Sequence, residues 1–318
     1  MTPRVRPVTE GGLLVALSVI LGLLAIYLPL AGIIAALIWS VPFTVLVYRH
    51  GLRRGIMGLF VAMLLLTLLL GPLVAIRFAV SLGPTGLALG YGFQKGWQAE
   101  RTFLAALAVS MAASVISFAL LFFMTGINPI ETETELIQKS FESSFAMYEA
   151  VGVDETRLAA AKVMTEQGTR LIGVLVPFLL FAIGLFDSAI GFFLGHRILR
   201  RIGADLPEVP VFSSWHLPSG VFYLFCFSLV GLYWGQSRSI DTLYRASMNF
   251  LLLAFFAGLI EGLSLLSYVM HRYKLLKIWR ILIYIGFMLN SIFLQILALV
   301  GLTDTFFDYR MRFGKRKH

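Results

Sequence analysis

Residues 171–194 read LIGVLVPFLLFAIGLFDSAIGFFL, and Asp187 is the single charged residue in that stretch. A helix needs about 20 apolar residues to cross the hydrocarbon core of a membrane, so the segment predicts a transmembrane span. The whole chain of 318 residues is also strongly apolar, with 58% hydrophobic and 14% charged residues and a mean hydropathy of +0.86. Soluble domains have about 25% charged residues, so a soluble enzyme, a nucleic-acid-binding domain and a disordered chain are excluded. Unbroken apolar runs also exclude a porin-type barrel.

The apolar runs predict an all-α fold, a polytopic transmembrane helix bundle of about nine spans with an extracytoplasmic helical hairpin insert. The predicted spans are 11–29, 30–47, 55–71, 72–93, 103–124, 171–194, 219–235, 246–270 and 278–302, of which the third and seventh are short. Four parts follow from them. They are an N-terminal five-span part (1–124), the insert (125–170), a sixth span with a basic cytoplasmic loop (171–208), and a C-terminal three-span bundle with a basic tail (209–318).

Lys and Arg residues orient the bundle, because the cytoplasmic loops of membrane proteins carry an excess of them. They cluster before the first span and after every second span, so the N-terminus is predicted to be cytoplasmic and the insert extracytoplasmic. The net charge of +9 therefore reflects orientation in a bacterial plasma (inner) membrane and predicts no nucleic-acid partner. The basic tail Arg310–His318 falls on the outer side of nine spans. Either the last span is re-entrant, or a short span is miscounted, or the tail is an exception.

The insert contains two helix-start signals. Thr132-Glu133-Thr134-Glu135 is a capping box, and Asp154 is a good N-cap for a second helix that is predicted to run to about Arg170. The insert is interpreted as a solvated connector, or alternatively as a lid over an outward-facing cavity or a docking surface for a partner.

Polar groups inside the apolar runs are costly, so each is a functional candidate. Asp187, Glu261 and Asn290 are candidates for proton coupling or for a polar core. The two carboxylates lie at similar predicted depths and would share a proton if they met. The alternative is that each carboxylate is paired separately.

Arg77 and the interruption Ser81–Gly86 mark the fourth span. Arg77, Ser81 and Thr85 are candidate ligand-binding residues, since transporter sites are often built at broken helices. The alternatives are an arginine that extends to the interface and a simple kink. Small residues four apart, such as Gly258 and Gly262, predict close helix contacts.

The chain contains no phosphate-binding loop, no His-Glu-x-x-His pattern and no Gly-x-Ser-x-Gly elbow. We therefore expect no enzymatic activity, no catalytic residues, no metal and no cofactor. The predicted partners are the lipid bilayer, an energising or envelope-assembly membrane protein, and an unidentified small molecule.

Three segments carry a resemblance. These are Thr9-Glu10-Gly11-Gly12, then Phe212-x-x-Trp215-x-Leu217-Pro218, and Gly301-Leu302-x-Asp304-x-x-Phe307-Asp308-x-Arg310. Together they resemble the YybS-like family of uncharacterised bacterial multipass membrane proteins. The layout of the first six spans is also similar to the S components of energy-coupling-factor transporters and to MreD. The resemblance implies a plasma-membrane protein with an S-component-like N-terminal half and no established activity.

The last of these segments, 301–310, contains further candidate site residues. Asp304 and Asp308 are four apart and are predicted to share one face of a continued helix, with Arg310 following at the interface. The three residues could contact a partner or a lipid headgroup, or simply cap a helix. Trp215 and His216 are interpreted as an anchor at the membrane surface.

These observations favour small-molecule capture or transport of S-component type, driven by an energising partner or a proton gradient. The alternative is a non-catalytic scaffold in cell-envelope assembly, as for MreD. An intramembrane enzyme that acts on lipids is the third hypothesis.

Overall fold

A computed structural model of the chain describes residues 5–126 and 128–314. Helices are the only regular secondary structure in these ranges. They are α1 (Val5–Tyr27), α2 (Pro29–Leu37), α3 (Val41–His50), α4 (Leu52–Leu70), α5 (Pro72–Arg77), α6 (Gly83–Gln94), α7 (Ala99–Thr125), α8 (Pro129–Ala150), α9 (Glu155–Arg201), α10 (Gly220–Ser237), α11 (Asp241–Arg272), α12 (Lys277–Leu289), α13 (Ser291–Phe307) and α14 (Tyr309–Gly314). A π-helical segment (Phe78–Leu82) joins α5 to α6, and a 3-10 turn (Phe212–Ser214) precedes α10. The predicted all-α polytopic class is confirmed.

Within the described ranges, seven helical segments are long and apolar enough to cross a membrane, or eight if one bent pair counts as a single span. The seven are Val8–Tyr27, Leu30–His50, Leu52–Leu70, Pro72–Gln94, Ala99–Thr125, Leu171–Arg201 and Asp241–Arg272. The predicted count of nine is not confirmed. The segment 219–235 forms helix α10 but is not among the seven, since its last turns contain Tyr233, Trp234 and Gln236.

The segment 278–302 is broken rather than straight. Helices α12 and α13 meet at Asn290 with a bend of 105°, as in a broken span or a re-entrant loop. The backbone of Asn290 is extended, and its side-chain oxygen accepts hydrogen bonds from Ile292 N at 2.9 Å and Phe293 N at 3.4 Å. Asn290 is therefore the N-cap of α13. A broken last segment corresponds to one of the explanations left open for the basic tail.

The chain divides into two compact units. Unit 1 contains the described residues up to Thr169 together with Leu179–Glu208. Its core is centred on Trp39, whose ring lies 4.9 Å from Phe43 and 5.5 Å from Phe78. The indole of Trp39 donates to Ser18 O at 2.9 Å, which satisfies its polar N–H inside the core.

Helix α9 is longer than predicted. The second helix of the insert and the sixth span were expected as separate elements meeting near Arg170, but the structure has a single helix of 47 residues that begins at Glu155. Asp154 caps it as predicted by accepting from Thr156 N at 2.9 Å. Helix α8 begins at Pro129, ahead of the predicted capping box at Thr132. The side chain of Glu133 lies outside the described residues.

Unit 2 contains Arg170–Phe178 and the described residues from Val209 onward. Pro177 interrupts the hydrogen bonding of α9 here. The side-chain amide of Asn249 accepts from Phe178 N at 2.9 Å and donates to Val174 O at 2.7 Å. In a regular helix those two backbone groups would bond to each other. Asn249 therefore holds this turn of α9 open.

Helices α11 and α13 form the main contact of unit 2. A Cβ atom on Gly258 would lie 2.6 Å from Ala298 O, so the backbones touch where only glycine fits. The predicted close contact at Gly258 and Gly262 is present, because a Cβ on Gly262 would also meet the backbone of Leu297. This packing fixes the alignment of α11 along α13 and so brings Glu261 near Asp304.

Candidate functional site

Glu261 lies on α11 and its side chain is fully buried. Its Oε1 atom accepts a hydrogen bond from Arg310 Nη2 at 2.6 Å and lies 2.9 Å from His216 Nδ1. Its Oε2 atom accepts from Leu217 N at 2.8 Å. A buried carboxylate is tolerated when it is paired and hydrogen-bonded in this way.

Arg310 links Glu261 to a second buried carboxylate. Its Nε atom lies 3.4 Å from Asp304 Oδ2, while Nη1 donates to Ser213 O at 3.0 Å and Nη2 to Ser264 Oγ at 3.1 Å. Asp304 Oδ1 also accepts from Tyr309 N at 2.7 Å. We call Glu261, Arg310, Asp304, His216 and Ser264 the Glu261 cluster.

The segment before α10 is held against α11 by Ser264, which lies three residues after Glu261 on the same helix face. The Ser264 hydroxyl lies 2.6 Å from Phe212 O and 2.9 Å from Trp215 O. Trp215 Nε1 donates to Pro210 O, so Trp215 and His216 belong to a structured turn. His216 contacts Glu261 from this turn and is partly exposed, with 38% of its side chain accessible.

The end of α13 corrects one prediction. Asp308 has a left-handed backbone, with φ +45° and ψ +68°, so the helix ends at Phe307. Asp304 and Asp308 therefore do not share a face of a continued helix. Asp308 Oδ1 instead accepts from Met311 N at 3.2 Å in the following turn. The reversal of the chain at Asp308 is what brings Arg310 back to Asp304.

The side chains of His216, Glu261 and Asp304 lie close enough together to be candidate metal ligands. One atom each of His216, Glu261 and Asp304 lies within 4.8 Å of the others. The guanidinium of Arg310 bonds to both carboxylates, so a cation is already present in the group. The cluster therefore does not fit a metal ion and is better described as a buried salt-bridge network.

Unit 1 contains a buried carboxylate of its own. Asp187 on α9 is 2% exposed, and its Oδ2 atom accepts from Ser110 Oγ on α7 at 3.1 Å. A Cβ atom on Gly191, one turn after Asp187, would lie 3.0 Å from Ser40 Oγ, and a Cβ on Gly86, next to Thr85, would meet Ser40 O, so Ser40 and Thr85 lie beside Asp187. We call Ser40, Thr85, Ser110 and Asp187 the Asp187 cage.

The Asp187 cage is not fully hydrogen-bonded. Asp187 Oδ1, Ser40 Oγ and Thr85 Oγ1 are buried without a hydrogen bond to any described residue, and so is the neighbouring Ser188 Oγ. Among the side chains that the structure describes, no Lys, Arg or His forms an ion pair with Asp187. Buried polar atoms in proteins almost always have a partner, so this concentration of unpaired oxygens is unusual.

The structure separates the three candidate ligand-binding residues of the fourth span. Thr85 is buried in the Asp187 cage, Ser81 is half-buried in the π-helical segment, and Arg77 is exposed at the end of α5. The interruption predicted at Ser81–Gly86 lies where the π-helical segment Phe78–Leu82 continues directly into α6, so the helical path is not broken there. Asp187 and Glu261 have their own partners in unit 1 and unit 2, and Asn290 is an exposed helix cap.

The predicted contact of Asp304, Asp308 and Arg310 with a partner or headgroup stays a prediction. The structure buries Asp304 completely, leaves 12% of the Arg310 side chain exposed, and pairs the two residues with each other. Sequence reasoning did not find His216, Ser264, Ser40 or Ser110 as site residues. Their signal was weak, because serine is common in membrane helices and a lone histidine near an apolar run is ambiguous.

Comparisons with known proteins also indicate a membrane protein. A family model described as "Predicted membrane protein (DUF2232)" matches residues 16–305. A protein of Bacillus subtilis (strain 168) described as "Uncharacterized protein YybS" is 24% identical over 310 residues, which cover 96% of this chain and 98% of that protein. No solved structure matches. Similarity to S components or to MreD is not among these findings.

Proposed function

We propose that this chain, which belongs to the DUF2232 family of predicted membrane proteins, transports a small molecule across the membrane. Unit 1 is the transporting part in this proposal, and the driving force is a cation gradient or an energising partner protein. The observation that carries the proposal is the Asp187 cage, with its buried carboxylate and its unpaired oxygens.

A carboxylate at membrane depth is expensive and commonly marks an ion pathway or a proton relay. A structural carboxylate would be expected to have its hydrogen bonds complete, as Glu261 does. Asp187 has a hydrogen bond at Oδ2 but none at Oδ1. A carboxylate of this kind can change its partner during a transport cycle at a lower cost in free energy than a carboxylate whose hydrogen bonds are all formed.

The fourth span supports a route to this cage. Arg77 is exposed at one end of the π-helical segment, and Thr85 is buried three residues beyond its other end. π-Helical segments occur frequently at functional sites. Arg77 and Ser81 would contact an anionic group of the substrate, because a guanidinium binds carboxylate or phosphate through charge-assisted hydrogen bonds.

The S-component type remains the preferred architecture for this transport. It rests on the layout of the first six spans, in which the first and second spans are joined directly at Leu28-Pro29-Leu30 and the third and fourth at Gly71-Pro72. The chain contains no phosphate-binding loop, so an S-component mode would require a partner that hydrolyses ATP. In a membrane-bound bacterial protein the partner would be another plasma-membrane complex.

Thermal-shift screening of the purified protein tests the capture step. The panel consists of vitamins, nucleobases and lipid precursors, applied to the wild type, Arg77→Ala and the matched control Arg54→Ala, which removes another exposed arginine. We expect a compound that raises Tm in the wild type and in the control but not in Arg77→Ala. Stabilisation that is equal in all three proteins, or absent across the whole panel, would contradict the proposed role.

A scaffold in cell-envelope assembly is the second candidate. The Glu261 cluster favours it, because a network that ties α11, α13 and the 210–218 turn together stabilises one conformation of unit 2. A scaffold needs a rigid docking platform and no ligand. Repeated co-purification of one envelope-assembly protein, together with a negative ligand panel, would favour this function.

A further inference from the structure

The Asp187 cage brings together oxygen atoms from four separate parts of unit 1. Ser40 precedes α3, Thr85 lies on α6, Ser110 on α7 and Asp187 on α9. The exposed fraction of these residues is 2% or less. Four elements that are far apart in sequence therefore deliver one carboxylate and three hydroxyls to one buried place.

Glycines on α9 make the approach possible. Gly184 and Gly191 lie three residues before and four residues after Asp187, hence on the same helix face. A Cβ atom on Gly184 would lie 3.5 Å from Ser110 Oγ, and one on Gly191 would lie 3.0 Å from Ser40 Oγ. The hydroxyls therefore contact the helix backbone on both sides of Asp187, which makes the cage compact.

The charge of the cage requires a counter-charge. An isolated buried carboxylate is strongly disfavoured, and none of the described basic side chains pairs with Asp187. Either a proton or a metal cation supplies the positive charge. Carboxylate and hydroxyl oxygens are the hard ligands that alkali and alkaline-earth cations prefer.

The single negative charge selects the valence of the cation. A monovalent ion leaves the cage neutral, whereas a divalent ion would leave one uncompensated positive charge in a buried place. The compact geometry favours a small ion over a large one, since the glycine contacts keep α9 close to Ser40 and Ser110.

We propose that unit 1 binds one Na⁺ through Asp187 Oδ1, Ser40 Oγ and Thr85 Oγ1, with Ser110 orienting the carboxylate through Oδ2. This site deepens the proposed transport function, on which its physiological role rests, by naming the coupling ion. Protons compete for the same carboxylate, so Na⁺ binding weakens as the pH falls.

A binding experiment tests the site without any transport assay. The purified full-length chain is titrated with NaCl against a choline chloride background at constant ionic strength, with KCl as a parallel series. Tm and ²²Na⁺ binding are the two readouts. We expect a saturable rise of Tm with Na⁺, little or none with K⁺, and a stoichiometry of one Na⁺ per chain.

Substitutions in the Asp187 cage test whether these residues bind the Na⁺. Asp187→Asn should abolish ²²Na⁺ binding, and Thr85→Val, which removes one oxygen at nearly constant volume, should lower the apparent affinity about tenfold or more. If Asp187→Asn does not fold, Thr85→Val alone still tests the site. Ser117→Ala, which alters another buried serine of α7, is the matched control and should bind Na⁺ normally.

The possible results separate this site from the transport function. Equal responses of the wild type to Na⁺, K⁺ and choline would overturn the Na⁺ site, and so would normal Na⁺ binding by Asp187→Asn. Na⁺ binding that depends on Asp187 in a protein with no ligand and no uptake would support the site while removing the transport proposal.

Discussion

Arg310 Nη2 lies 2.6 Å from Glu261 Oε1, although the two residues are separated by 49 positions in the sequence. The pair joins the last described turns of the chain to the middle of α11, and Asp304 and His216 complete the network around it. Breaking a buried ion pair by removing one partner leaves an uncompensated charge behind. Removing either partner of the pair is therefore expected to destabilise unit 2.

Arg310→Met is expected to lower the free energy of unfolding by about 3–5 kcal/mol, because Glu261 and Asp304 lose their shared cation. Lys277→Met, which alters a basic residue of exposed helix α12, should change it by less than about 0.5 kcal/mol. Unfolding of purified protein in mixed detergent micelles measures both values. The double variant Arg310→Met with Glu261→Gln should recover part of the loss, and strict additivity of the two changes would contradict a direct pair.

Asn249→Ala removes the amide that bridges Phe178 N and Val174 O next to Pro177. We expect a loss of about 1–3 kcal/mol, since two polar groups lose their partner. Adding Pro177→Ala should reduce this loss, because a regular helix then lets the two backbone groups bond to each other. The same unfolding assay, applied to both single variants and the double variant, gives the coupling free energy between positions 249 and 177. A coupling of zero would mean that Asn249 does not compensate for Pro177.

Gly258→Ala is expected to separate α11 from α13, because the added Cβ would lie 2.6 Å from Ala298 O. The cost should be about 1–3 kcal/mol. Gly286→Ala is the control: nothing lies within 4 Å of a Cβ there, so the higher helix propensity of alanine should stabilise the protein slightly. Thermal unfolding of the two variants measures the contrast, and equal Tm values would mean that the close contact does not form.

A pH-dependent step is expected at the start of α9, outside the apolar spans. The backbone N–H and then the hydroxyl of Thr156 donate to Asp154 Oδ1, and these hydrogen bonds hold the pKa of that carboxyl below its usual range. A depressed folded-state pKa stabilises the capped turn above the unfolded-state pKa, and this stabilisation is lost as the pH falls through the folded-state pKa. Amide exchange at Thr156 should therefore accelerate, relative to its intrinsic rate, as the pH falls below about 4.

Asp154→Asn is the control for this step. Asparagine also caps helices but does not titrate, so exchange at Thr156 in the variant should show no such acceleration across the same pH range. An identical step in both proteins would assign the change to another group.

The sequence was sufficient for the class of fold, because the length and composition of the apolar runs depend only on local residues. It did not predict that the last run breaks at Asn290, since an asparagine inside an apolar stretch can equally face a polar core or cap a helix. The continuity of α9 through Arg170 was also missed, because a change from polar to apolar composition resembles a boundary while the backbone hydrogen bonds continue.

The candidate sites were predicted only in part. Asp187, Glu261, Asp304 and Arg310 were identified because charges in apolar surroundings are visible in the sequence. Their partners were not, since Ser110 lies 77 residues from Asp187 and the tail lies 49 residues from Glu261. Such pairs depend on helix packing, which glycine contacts at Gly191 and Gly258 determine at long range.

The distance along the chain between Glu261 and Arg310 also sets an order of events during synthesis. At about 5–20 residues per second, the ribosome needs about 2.5–10 s to extend the chain from Glu261 to Arg310. During that interval α11 is already made, and of the three groups that bond to the carboxylate only His216 and the N–H of Leu217 have been synthesised. Unit 2 therefore reaches its final arrangement only after Arg310 has been translated, and helix insertion must tolerate a carboxylate that still lacks its arginine.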